Sequence, residues 1–373
     1  MSIHSDYSKL TDWEWDGLTA GYNLADGHAH QAQNAAYTEI IDHLPELFMQ
    51  AQCGNQKDIQ QAFEQAFFNL AGQRNYQQLR PPLYQSACSL SIEVVANYLR
   101  QTAKSVAMLH PTFDNLADIL KRHNIQLTPI DEASMLDPDT KLKDLSADVL
   151  FLVLPNNPTG TDLNQKQYLS IIEYCKKYAK MLIVDNSFRF YSSLIEWDQY
   201  AALKSAGIDF IIFEDTGKTW PTLELKIGIT VSSDSVYEQL ATITNDFLLN
   251  VSPFVFTVLT NYINSETDGI VGARTIVSTN REMLMKLLSE SPISLSMSVS
   301  NLSVGWIKLP KNWEATALCL WLGEHGIHVL PGSPFYWNDH SKGESYIRVA
   351  LLRPIADFKK AARQLVELLD EYQ

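Results

Sequence analysis

The 373-residue sequence predicts an α/β fold, with a mostly parallel central sheet in a large domain and a smaller α+β domain beside it. Three observations lead there. The length exceeds what one hydrophobic core usually supports, so two packed lobes are expected. From about Asp58 the chain alternates helical stretches with short, uninterrupted apolar runs, the pattern of strands buried on both faces. After residue 231 the texture changes to longer helices and then to a strand–helix alternation, which marks the second lobe.

In chain order, helical spacing predicts a helix over 91–99, an apolar run a strand over 105–109, and helical spacing again a helix over 113–123. The strongly apolar 148–154 is a strand and 164–179 a helix. Buried strands follow at 181–184 and 210–213 with a short helix between them, then another strand at 227–231. Beyond it, helices span 252–266 and 273–288, strands 302–309 and 346–350, and helices 313–325 and 357–372. The expected domains are an N-terminal lid segment with the first helix (1–45), a large domain (46–265) and a small α+β domain (266–373).

Composition narrows the function. Lysine and arginine total 29 against 43 acidic residues, a formal charge of −14, with no Lys/Arg-rich run. Such a surface repels phosphate backbones, which argues against nucleic acid as a partner. Cys53, Cys88, Cys175 and Cys319 lie far apart and match no metal or redox spacing, as expected of reduced thiols in a cytoplasmic protein. No apolar run reaches membrane-spanning length, and residues 1–15 carry Asp6, Asp12 and Glu14 where a signal peptide would be apolar.

Chemistry concentrates at four strand ends. The strand over 148–154 runs into Pro155-Asn156-Asn157-Pro158-Thr159-Gly160, and the next into Asp185-Asn186-Ser187-Phe188. The strand over 210–213 runs into Glu214-Asp215-Thr216-Gly217-Lys218, and Arg348 lies inside the apolar strand over 346–350. Singly these read as a turn, a helix cap, a solvated lysine and a buried arginine in need of a partner. Together, in a sheet whose ligands gather at carboxyl strand ends, they read as a site. Ser86, Ala87, Cys88 and Ser89 precede the helix from 91; they serve either as a plain cap or as an anion cradle of free N–H groups.

This order resembles the fold-type-I enzymes of pyridoxal 5′-phosphate (PLP), the aminotransferase superfamily, from about Ser86 onward. The resemblance implies that Lys218 holds the cofactor as a Schiff base and shuttles protons. It also implies that Asp185 faces the pyridine nitrogen, Asn157 donates to the phenolic oxygen, Phe113 stacks on the ring and Arg348 grips the substrate α-carboxylate. Lys226 stands where the superfamily generally carries an arginine to the cofactor phosphate.

Three features depart from an ordinary aminotransferase. Phe188 replaces a tyrosine that donates to the cofactor, a role that Ser187 could fill in part. Asp215 stands where a phosphate-contacting Ser or Thr is usual, so it must turn elsewhere, pair with a cation such as Lys226, or meet a cationic substrate tail. The segment Asn23 to Gln31 places His28 and His30 after an Asp26-Gly27 turn; as a polar loop it would lead into a helix beyond Gln31 capped by Asp26, and no third metal ligand is apparent. With His110 to Asn115 and Glu214 to Leu223, these features resemble the PLP-dependent L-arginine oxidases and hydroxylases that consume O2 on the way to arginine-derived natural products.

That resemblance implies that Glu14 and Asp215 pair with the substrate guanidinium, that Thr11 and Asp26 fix a closed N-terminal segment, and that His28 orders water or moves protons. The implied reaction takes L-arginine through a quinonoid to dehydroarginine- and 2-ketoarginine-type products, or a 4-hydroxylated one, with release of hydrogen peroxide. A homodimer, no membrane contact and no metal complete the expectation. A conventional aminotransferase for a basic amino acid and a non-catalytic PLP-binding domain stand as alternatives.

Overall fold

A computed structural model describes residues 9–19 and 21–372. Residues 1–8, Asp6 among them, lie outside the described residues and include part of the stretch expected to lack a signal-peptide core.

The central sheet has seven strands in the order Leu83–Gln85, Gly228–Ser232, Phe210–Asp215, Met181–Asp185, Val149–Val153, Val106–Leu109, Leu127–Ile130. The last five pair in parallel, while Gly228–Ser232 runs antiparallel to both its neighbours. Every residue of Val106–Leu109, Val149–Val153, Met181–Asp185 and Phe210–Asp215 is buried, because helices cover both faces. The helix Gln165–Lys177 opens with a reciprocal cap: the Asn164 side chain accepts the Gln167 N–H, and the Gln167 side chain accepts the Asn164 N–H.

The two edge strands were not anticipated from sequence. Leu127–Ile130 contains Pro129, whose missing N–H is tolerated at an edge and weakens any strand pattern there. The helix Asp234–Phe247 was also not singled out, although Val236, Leu240 and Ile243 form its buried face. The helices and strands that were expected from sequence lie within a few residues of their expected positions, whereas helices Leu10–Thr19, Leu44–Cys53 and Gln56–Leu70 had no expected range. Among the described residues no helix is long and apolar enough to cross a membrane.

A second sheet of four antiparallel strands, in the order Leu330–Pro331, Tyr346–Ala350, Val304–Lys308, Ser296–Met297, organises the smaller core. Helices Val271–Glu290, Ala315–Glu324 and Ile355–Glu371 contribute Leu284, Leu318 and Leu365 to it. The N-terminal helix Leu10–Thr19 buries Leu10 and Trp13 in this same core, and Tyr22–Asn23 pairs in parallel with Ile327–His328. The helix Ala35–Asp42 starts at Asn34, whose side chain accepts from the Tyr37 N–H. Asp26 therefore does not cap the helix beyond Gln31, and its carboxylate has another use.

Candidate active site

One cavity opens at the carboxyl ends of the central strands. It is lined by Asn157, Asp185, Ser187, Phe188, Asp215 and Lys218 from those ends, by Phe113, by Ala87, Cys88 and Ser89, by Lys226, and by Arg348 from the smaller domain. Thr11, Glu14 and His28 of the N-terminal segment close it. Fourteen of the sixteen residues given a site role from sequence, all of these except Phe188, thus meet in one place. Ser86 is exposed and does not line the cavity, and Asp26 lies behind His28 rather than on the wall.

At the floor, Asp185 is buried, and its Oδ1 accepts the Ser187 hydroxyl at 2.5 Å and the Ser187 N–H at 2.8 Å. Burial raises its pKa to about 6, with Ser187 opposing and Asp215 adding to the rise. Ser187 Oγ also lies 3.5 Å from Cys88 Sγ, and burial pushes the Cys88 thiol well up. The Lys218 ammonium stands 5.8 Å from the centre of the Phe188 ring, and the Lys218 carbonyl accepts Tyr191 Oη–H at 3.2 Å.

The helix Cys88–Gln101 begins at Ala87, held extended, with no side chain capping its first turn. Its free N–H groups therefore face the cavity. Gly228 makes the approach possible: a Cβ there would sit 2.7 Å from the Ala87 carbonyl carbon and the Cys88 nitrogen. Gly217 has the same function in the lysine loop, where a Cβ would meet Lys226 Cδ at 2.9 Å and His28 Cδ2 at 3.2 Å.

Asp215 does not pair with Lys226. Its Oδ1 accepts the Gly217 N–H at 2.6 Å, while Lys226 contacts Glu224 and stands 2.9 Å from His28 Nε2. A charged lysine can only donate, so His28 Nε2 is the acceptor in that contact and the ring proton sits on Nδ1. There it donates to Asp26 Oδ1 at 2.6 Å, and His30 Nε2 approaches Asp26 Oδ2 at 2.5 Å. Burial works against ionisation of Asp26, but the hydrogen bonds from His28 and His30 prevail and hold its pKa far below the carboxylate range.

Arg348 is fully buried. Its Nη2 faces Glu14 Oε1 at 3.3 Å and donates to the Ala25 carbonyl, and its Nη1 is 3.4 Å from Asn157 Oδ1. Two residues that sequence reasoning did not single out hold the N-terminal segment in place. Arg353 donates to the carbonyls of Asn23 at 2.7 Å, Asp26 at 2.5 Å and His28 at 3.1 Å; burial lowers its pKa to about 10. Asp114 Oδ2 accepts the Leu10 N–H at 2.8 Å, at the start of the N-terminal helix. The available signal was a second buried-type arginine five positions after Arg348 and an acid directly following Phe113.

The aminotransferase class I and II family matches the chain over residues 19–365. A solved structure described as MppP soaked with the product 2-ketoarginine superposes with a TM-score of 0.88 at 31% identity, covering 93% of this chain and 99% of that one. LysN, an α-aminoadipate aminotransferase from Thermus thermophilus, shares the fold at a TM-score of 0.75 and 14% identity, over 93% of this chain and 92% of its own. An LL-diaminopimelate aminotransferase of Halothermothrix orenii is 24% identical over 65% of this chain; the match spans 62% of that relative's length.

Proposed function

The chain belongs to the class I and II aminotransferase family of PLP-dependent enzymes, and within it we propose an oxidase that acts on L-arginine with O2 as electron acceptor. The observation that carries this reading is the meeting of Glu14, His28 and Asp215 with Lys218, Asp185 and Arg348 in one cavity. Acids beyond the cofactor-binding residues suit a substrate with a planar cationic tail. The full-length likeness to MppP, whose product is 2-ketoarginine, supports the same substrate.

The residues present fit PLP. Asp185 is a buried carboxylate without a cation in bonding distance among the described residues, and its raised pKa is what a protonated pyridine nitrogen would relieve. The uncapped first turn at Ala87, Cys88 and Ser89 would take the phosphate, with Lys226 as a point charge nearby. Phe113 would stack on the ring, Asn157 would donate to it, Ser187, whose hydroxyl donates to Asp185, would hold that carboxylate in place, and Lys218 would anchor the cofactor. When bound, PLP supplies an electron sink for the pair left on the substrate α-carbon.

Around that sink the chain has its own tasks. Arg348 would hold the α-carboxylate by two parallel bonds, and Asp215 with Glu14 the guanidinium. Lys218 would move the α-proton. Asp26 keeps the His28 proton on Nδ1 and leaves the Nε2 lone pair toward Lys226 and the cavity, so His28 is set to take a proton or order a water. Loss of two electrons from L-arginine, taken up as O2 becomes hydrogen peroxide, gives an imine that water converts to 2-ketoarginine and ammonia. A second such oxidation gives unsaturated products, and water addition at the side chain the 4-hydroxylated one.

Oxygen uptake with L-arginine as the sole added substrate tests the proposal. We expect peroxide release with no keto-acid requirement, and product masses separate desaturation from hydroxylation. Turnover that starts only when a keto acid is supplied would establish instead a conventional aminotransferase, the activity named for the curated relatives, with a basic amino acid as its substrate. A two-fold dimer goes with the proposal: Leu223, Phe247 and Leu249 stand exposed, and sedimentation of the holoenzyme as a monomer would refute it.

A further inference from the structure

Arg348 lacks a proper anion of its own. It is fully buried, its Nε has no hydrogen-bond partner, and Glu14 at 3.3 Å is the one carboxylate within ion-pair distance among the described residues. Burial lowers the Arg348 pKa, and Glu14 is the foremost group opposing that shift. The contact is single and long, whereas a carboxylate that matches the guanidinium fork makes two parallel bonds near ~2.8 Å. Glu14 comes from the N-terminal helix, is largely buried itself, and lines the same cavity as Asp215.

We infer that Glu14 is a resident stand-in for the substrate carboxylate, and that it is exchanged from Arg348 to the cationic tail of the incoming amino acid. The inference rests on the reading that Arg348 receives the α-carboxylate, and it assigns Glu14 a specificity role that pairing with the tail alone does not contain. An α-carboxylate displaces Glu14 by making the better two-bond contact. The displaced carboxylate then sits largely out of water and must find a cation, which a guanidinium supplies and an apolar side chain does not. Displacing Glu14 therefore weakens binding of an amino acid with the wrong kind of tail, while the same residue strengthens binding of one with a guanidinium. Discrimination arises from a single acid that every ligand has to move.

The test is anaerobic titration of the PLP-loaded enzyme with L-arginine and with L-norleucine, read as dissociation constants from the change in cofactor absorbance. Glu14→Gln keeps the side-chain size and removes the charge. Exchange predicts that this variant binds L-norleucine about tenfold tighter and L-arginine about tenfold weaker than the wild type. Asp215→Asn, which removes an acid not in contact with Arg348, should weaken L-arginine and leave L-norleucine unchanged. If Glu14→Gln weakens L-arginine but leaves L-norleucine unchanged or weaker, Glu14 serves the tail alone; the exchange is overturned and the arginine reading stands. If the wild type shows no preference for L-arginine, the arginine reading falls, and the L-norleucine comparison alone upholds or overturns displacement of Glu14. Glu14→Ala, which removes the carboxylate and its bulk together, should tighten L-norleucine as Glu14→Gln does, and its failure to do so would count against displacement.

Discussion

At the scale of single residues, the site depends on hydrogen bonds that fix where protons sit. Asp26 is the clearest case: one buried carboxylate spans His28 and His30 and stays ionised because both rings approach it. A carboxylate with a depressed pKa contributes its stabilisation above the ordinary range near ~4 and loses it only as pH falls far below that. Asp26 should therefore hold His28 throughout the neutral range. Asp26→Asn removes the acceptor charge and permits the other ring tautomer; we expect turnover to fall about 100-fold, with cofactor absorbance retained. Equal turnover in variant and wild type would mean that His28 takes no part in proton movement. Lys218→Ala should abolish turnover altogether, and residual full activity would sink both the oxidase and the aminotransferase readings.

At the scale of elements, the N-terminal helix Leu10–Thr19 closes the cavity, and its first turn is held by a residue from another part of the fold. The Asp114 carboxylate accepts from the Leu10 N–H and thereby acts as the helix's cap. Burial raises the Asp114 pKa to about 7, against the help of that bond, with Asp118 and Glu14 adding to the rise. The sign follows from proton counting. Between about pH 4 and 7 the folded protein binds a proton at Asp114 that the unfolded chain has lost, so this group's contribution to stability falls as pH rises through that window. Asp114→Asn keeps an acceptor for Leu10 and removes the charge. It should flatten the decline in thermal stability over that same window, whereas Asp114→Ala should cost about 1 kcal/mol and loosen the helix. An unaltered pH profile in Asp114→Asn would show that ionisation of this acid is not coupled to folding.

At the scale of the molecule, the sheet end that carries Asp215 and Lys218 is anchored by an ion pair beneath the site. Arg189 Nε donates to both Glu214 oxygens at 2.7 and 2.8 Å, Tyr200 donates to the same carboxylate at 2.6 Å, and both charged side chains are fully buried. Removing one partner leaves the other charge unpaired in the core. Glu214→Ala should lower the unfolding free energy by about 3–5 kcal/mol, measured by urea titration. A loss under about 1 kcal/mol would mean that water reaches Arg189 freely. Because Glu214 adjoins Asp215 in the same strand, this pair lies directly beneath a residue of the cavity wall.

Much of this was legible in the sequence because it is local. A strand that ends in Asp185, a turn that presents Asn157, a loop that carries Lys218 and a strand that carries Arg348 are each encoded by neighbouring residues, and the carboxyl ends of parallel strands converge by geometry. The same locality left two readings at Asp26, a helix cap, which a turn followed by a polar run resembles, or a residue that fixes the closed segment, and the cap reading does not hold. The cap of that helix is Asn34, and Asp26 was free to bind two histidines. What only the tertiary structure decided is which charge answers which. Glu14 reaches Arg348 across 334 positions, Leu10 reaches Asp114 across 104, and Arg353 gathers three carbonyls from Asn23 to His28. A charge in a sequence announces that it needs a partner once buried. The partner itself is chosen by packing, because many acids are available and only the folded chain brings one of them within bonding distance.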